Sequence, residues 1–106
     1  MLILNETNFR KELDANKFVA VDFFAEWCGP CRYFVPIFEA AEKGFKGKVK
    51  FAKVDTEASP ILAEQYGIRS IPCLIVFKDG REEQRFVGAM EPEEFKDRLN
   101  DVLKRK

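Results

Sequence analysis

The chain has 106 residues, 46% of them apolar and 34% charged, enough for one domain with a single buried core. Its 18 basic residues balance 18 acidic ones, so neither a nucleic-acid footprint nor a polybasic membrane patch is expected. No apolar stretch approaches the ~18 to 20 residues of a bilayer span, and the N-terminal apolar run stops at Asn5, so the expectation is a soluble, non-exported, cytoplasmic chain.

In chain order, Leu2 to Leu4 read as a short first strand. Asn5 or Thr7 then caps a helix whose Phe9 and Leu13 lie one turn apart and which ends near Asn16. Phe18 to Ala25 is β-branched and aromatic on both faces apart from Asp22, the pattern of a central strand covered on both sides. From Cys31 onward Phe34, Ile37 or Phe38, Ala41 and Phe45 recur at helical spacing. Pro36 is expected to kink that helix and Gly44 or Gly47 to stop it.

Val49 to Asp55 is a further strand, and Ser59-Pro60 caps a short helix that stops at Gly67. Cys73 to Phe77 and Glu82 to Val87 are strands joined across Lys78-Asp79-Gly80-Arg81, where Asp-Gly supplies the positive φ angles of a tight hairpin. The polar second strand suits a sheet edge. The last helix starts near Pro92, carries Glu93 and Glu94 in its first turn, ends in Lys104 to Lys106 and buries Phe95, Leu99, Val102 and Leu103. The order βαβαβαββα predicts an α/β sandwich over residues 1–106, parallel in its first part, with an antiparallel hairpin closing one edge.

Three cysteines in a non-exported chain do not make a structural disulfide framework, and with no histidine present, acid-base work falls to carboxylates, lysines or thiols. Cys28-Gly29-Pro30-Cys31 sits where a buried strand ends and a helix begins. Unpaired N–H groups and the helix dipole there stabilise a thiolate, most of all at Cys28. Pro30 suits the first helical turn, and Gly29 leaves the approach to Cys28 open. Positions three apart on a helix need only modest adjustment to bond, so Cys31 can resolve a mixed disulfide formed at Cys28. So small a loop adds little global stability, and the bridge can open without unfolding the domain. Half of a zinc site is the alternative, but only one further cysteine and no histidine remain to complete four ligands. Asp22 lies in register with Phe18, Ala20 and Phe24 on the buried strand, where a carboxyl favours its protonated form. Lys53 falls in register with Val49 and Phe51, so its stem is expected to be buried.

The run Ala25-Glu26-Trp27-Cys28-Gly29-Pro30-Cys31 resembles the active-site motif of the thioredoxin family. The resemblance extends along the chain through Val21-Asp22-Phe23, Pro36, Lys53-Val54-Asp55, Tyr66-Gly67-Ile68-Arg69, Ile71-Pro72, Asp79-Gly80 and Val87-Gly88. It implies a thioredoxin-like three-layer α/β sandwich, a mixed five-stranded sheet flanked by four helices. It implies reduction of protein disulfides, with Cys28 the nucleophile, Cys31 the resolving thiol, Asp22 the proton-transfer group below Cys31 and Lys53 a secondary tuner. Ile71-Pro72 is implied to be cis, and Trp27, Gly29, Pro30, Ile71, Pro72, Gly88 and Ala89 to form the substrate-docking surface. No bound cofactor or metal is implied, and electrons come from a flavin-dependent thioredoxin reductase. The partners are that reductase and disulfide-containing proteins, the chain acting as a monomer.

Two positions depart from the family pattern. Phe24 replaces a common tryptophan, and Cys73 replaces the threonine that often follows the cis proline. Cys73 reads as a small buried strand residue; exposed, it could instead form an intermolecular disulfide or help bind a metal. An oxidase or isomerase, and a binding module or metal-bridged dimer without turnover, are the competing functions.

Overall fold

Residues Val19 to Phe23 are buried one after another, which no edge strand could arrange, so their strand lies mid-sheet with both faces covered. The computed structural model describes residues 1–105. It contains β1 (Leu2–Ile3), α1 (Phe9–Ala15), β2 (Phe18–Phe24), α2 (Gly29–Ala41), a 3-10 turn (Glu42–Phe45), β3 (Lys50–Asp55), α3 (Pro60–Gln65), β4 (Cys73–Lys78), β5 (Arg81–Val87) and α4 (Pro92–Leu103). The sheet runs β1-β3-β2-β4-β5, with β3 parallel to both β1 and β2 and β4 antiparallel to β2 and β5. The expected three-layer, mixed five-stranded sandwich is therefore the observed one.

Alternation along the strands divides the core in two. Ala20, Phe51, Leu74 and Val76 face α2 and α4, meeting Phe34, Phe38, Phe95, Leu99 and Val102. On the opposite face Val19, Val21, Phe23, Val54, Ile75 and Phe77 meet Phe9 and Leu13 of α1 and Leu62 of α3. Phe38 lies at the centre of the first core, stacked on Phe51 with ring centroids 4.7 Å apart and tilted against Phe95 at 5.7 Å. Burying one such ring stabilises the fold by about 1.5 to 3 kcal/mol.

Some local expectations hold and others are corrected. Asn5 caps the turn that enters α1, as expected: its Oδ1 accepts the N–H groups of Thr7 at 2.9 Å and Asn8 at 3.1 Å, Asn8 Oδ1 accepts Asn5 N–H at 2.8 Å in return, and Phe9 N–H donates to the Asn5 carbonyl at 3.0 Å. The regular helix begins after Asn8, whose side chain makes no capping bond of its own to α1. Ser59 stands at the start of α3, yet its side chain makes no capping bond; its N–H donates to the Asp55 carbonyl at 2.8 Å. Helix α2 continues through Pro36 to Ala41 and tightens into the 3-10 turn, and the chain leaves through Gly47 at φ +83°, one of the two glycines expected to end it. The basic end of α4 lies beyond its last turn. Arg105 reaches back to Gln84 at 2.9 Å and Glu83 at 3.7 Å on β5, and Lys106 falls outside the described residues. Leu4, Ala25 and Val49 lie just outside their strands, and the Asp79-Gly80 turn has the expected positive φ at both residues.

Candidate active site

The site forms where β2 gives way to α2. The Phe24 carbonyl at the strand end accepts Thr56 N–H at 2.9 Å and the Thr56 hydroxyl at 3.1 Å, tying β2 to the loop after β3. Cys28 N–H then donates to the Ala25 carbonyl at 3.2 Å, closing the turn that delivers Cys28 to the helix cap. Its Sγ accepts Cys31 N–H at 3.2 Å, taking the place of a capping oxygen. Pro30 occupies the first turn, where a missing N–H leaves no bond unmade.

Cys28 and Cys31 are joined as a disulfide, their Cα atoms 5.2 Å apart. Cys31 is fully buried and Cys28 is 6% exposed, so Cys28 is the sulfur an incoming group can reach. Around it Trp27, Gly29, Pro30 and Ala89 are exposed, Trp27 at 69%. Across the site Ile71-Pro72 is cis; the Ile71 carbonyl oxygen lies 3.7 Å from Cys28 Sγ, and Ile71 packs on the two cysteines. Gly88 N–H donates to the Pro72 carbonyl at 2.8 Å, so the loop after β5 is bonded to the cis proline. Gly88 holds φ +98°, a conformation that a side chain would strain. The candidate docking residues are thus drawn from the β2–α2 junction, the segment before β4 and the loop after β5.

Asp22 is fully buried on β2, on the face it shares with Ala20 and Phe24. Ala20 packs with Phe34 and Phe38, and Phe24 packs with Cys31, which places Asp22 under the first turns of α2. Among the described residues neither carboxyl oxygen has a hydrogen-bond partner. Burial, opposed by the Lys53 charge and helped by that of Glu39, pushes this carboxyl up from 3.8 to about 7.

Lys53 is the register partner of Asp22 on β3 and points to the same face, its stem buried as expected. Its ammonium is not bonded to Asp22. It donates instead to Glu39 Oε2 at 2.6 Å and sits 5.5 Å from the centre of the Phe24 ring. Glu39 escaped the sequence reading, although its place two helical steps of four after Cys31 was a usable signal. Cys73 is fully buried in the α1/α3 core, and burial pushes its thiol up. It therefore lacks the exposure that an intermolecular disulfide or metal contact requires. Among the described residues no cluster of metal-ligating side chains occurs, and no helix is long and apolar enough to cross a membrane.

Comparison with known proteins adds four findings. The family model described as Thioredoxin matches residues 1–101. Thioredoxin of Alicyclobacillus acidocaldarius is 39% identical over 102 residues, covering 96% of this chain and 97% of its own. Thioredoxin 1 of a Nostoc species is 44% identical over 88 residues, 82% of each chain. Among solved structures, thioredoxin of Plasmodium falciparum superposes with a TM-score of 0.89 at 32% identity, covering 95% of this chain and 98% of that one.

Proposed function

The chain belongs to the thioredoxin family and is a thiol-disulfide oxidoreductase, and from that premise we propose how its residues divide the work. As a single domain it reduces disulfides in protein substrates. The observation that carries this reading is Cys28 at the cap of α2, its sulfur receiving the Cys31 N–H and standing at the only slightly open mouth of the pair.

In the dithiol state the Cys28 thiolate is held by that N–H and by the positive end of α2. It attacks one sulfur of a substrate disulfide; a new S–S bond forms to Cys28 and the other substrate sulfur leaves as a thiolate. Cys31 then gives its proton to Asp22, directly or through water, and its sulfur attacks Cys28. The mixed disulfide breaks, the second substrate sulfur leaves, and the Cys28-Cys31 bond is made. Two electrons pass to the substrate, and its two thiolates take up two protons. Asp22 suits the transfer because its buried carboxyl changes charge near neutral pH. Lys53 tunes that carboxyl.

Trp27, Gly29, Pro30, Ile71, Pro72, Gly88 and Ala89 form the surface on which an extended substrate segment lies as an added strand along the backbone at Ile71. The electrons pass only between sulfurs of the chain and its substrate, so the chain requires no resident cofactor. A flavin-dependent thioredoxin reductase returns the disulfide to the dithiol, and the chain works as a cytoplasmic monomer. The test is reduction of insulin by the pure chain with a dithiol donor. Turnover is expected for the parent, none for Cys28→Ser, and mixed disulfides trapped on Cys28 for Cys31→Ser. Adducts on Cys31 in the Cys28→Ser chain, with neither turnover nor adducts in the Cys31→Ser chain, would reverse the assigned roles.

A further inference from the structure

The ion pair between Lys53 and Glu39 leaves a charge arrangement unexplained by the cysteine chemistry. Lys53 lies beside Asp22 across the β2/β3 register, close enough for its charge to lower that carboxyl, yet among the described residues Asp22 has no hydrogen-bond partner at either oxygen. The ammonium bonds Glu39 at 2.6 Å, the Lys53 side chain being 14% exposed and that of Glu39 43%, so the cation has its partner on the solvent side rather than at the buried Asp22. Glu39 reaches it from α2, the helix that carries Cys31. Phe24, a β2 neighbour on the Asp22 face, presents its ring 5.5 Å from the same ammonium.

We propose that Glu39 is a positioning residue of the site, holding the Lys53 ammonium off the Asp22 carboxyl and so keeping that carboxyl free to exchange a proton with Cys31. One cation stands between two carboxyls and bonds one of them. If Glu39 loses its charge, the ammonium turns to Asp22, stabilises its ionised form and fixes it in an ion pair. The groups facing Asp22 that enter this balance are Lys53 from β3 and Glu39 and Cys31 from α2. From β4 the facing register partner is the uncharged Leu74, and Cys73, on the other face of that strand, is reached by the Asp22 charge. The inference deepens the role proposed for Asp22 and rests on it only for its kinetic consequence.

The test is the Asp22 carboxyl titration, followed by carbon NMR of the oxidised protein, in the parent, Glu39→Gln, Lys53→Met and the double variant. Glu39 is an exposed helix residue, so Glu39→Gln is expected to fold. Its Asp22 midpoint should fall by about one pH unit. In the Lys53→Met background the same Glu39→Gln change should move the midpoint by less than about a third of that, because there is no ammonium left to release. A Glu39→Gln shift of equal size with and without Lys53 would mean a direct charge effect and overturn the positioning, as would no shift in either background. The titration does not depend on catalysis. If the midpoints move as stated while Asp22→Ala reduces disulfides at the parental rate, Glu39 still positions Lys53 and it is the proton-transfer reading that fails.

Discussion

Replacing Asp22 with alanine removes a carboxyl that the fold holds in an apolar site without a hydrogen-bond partner. Its folded value of about 7 against 3.8 for the free group means that the native state binds the extra proton between those two pH values. The sign follows: protonation of Asp22 favours the native state, so stability falls as pH rises from the lower value to the higher one, and the full penalty persists above both. At about 1.4 kcal/mol per pH unit that penalty reaches about 4 kcal/mol. Deleting the carboxyl leaves a small void costing roughly 1 kcal/mol. Asp22→Ala should therefore be more stable than the parent by about 3 kcal/mol near pH 9 and within about 1 kcal/mol of it near pH 4, where the folded carboxyl is neutral. Denaturant midpoints of the disulfide form, measured across that range, give the two curves. Parallel curves would refute the reasoning, because they would mean that Asp22 titrates alike in the folded and unfolded chain. The same variant should reduce disulfides about tenfold or more slowly in a single turnover, since no histidine can take over the Cys31 proton.

Two further outcomes separate chemistry from packing. Cys73→Ala should keep most disulfide-reducing activity and lose about 1 to 2 kcal/mol of stability, because the thiol is buried among apolar side chains; activity as low as that of Cys28→Ser would put the third thiol in the mechanism. Phe38→Ala should cost about 3 to 5 kcal/mol in chemical denaturation, since the ring touches Phe34, Phe51 and Phe95 together, and a loss under about 1 kcal/mol would show that the aromatic core refills the space.

Much of this protein was written in local pattern. The unbroken apolar run of β2, the Asp-Gly turn between β4 and β5 and the stripe of α4 each follow from periodicity or from the φ angle a residue tolerates, so the sequence alone set the element order and the mixed sheet. The place of Cys28 at a helix start was legible for the same reason: a strand signal, a glycine and a first-turn proline lie in one short run. Helix caps were less so, because Asn5, Asn8 and Ser59 each have several backbone groups within reach, and the entry of the chain decides among them.

What only the tertiary structure decided lies between elements distant in sequence. That Ile71 would bring its carbonyl to Cys28, and Gly88 its N–H to Pro72, depends on β4 pairing with β2 and β5. The choice of Lys53 between Asp22 and Glu39 had no sequence signature at all. All three side chains are titratable and lie on one face of the sheet or its covering helix, and the ammonium bonds the half-exposed Glu39 rather than Asp22, whose ionised form burial disfavours. Periodicity assigns a residue to a face; only the packed fold fixes which neighbour on that face it meets.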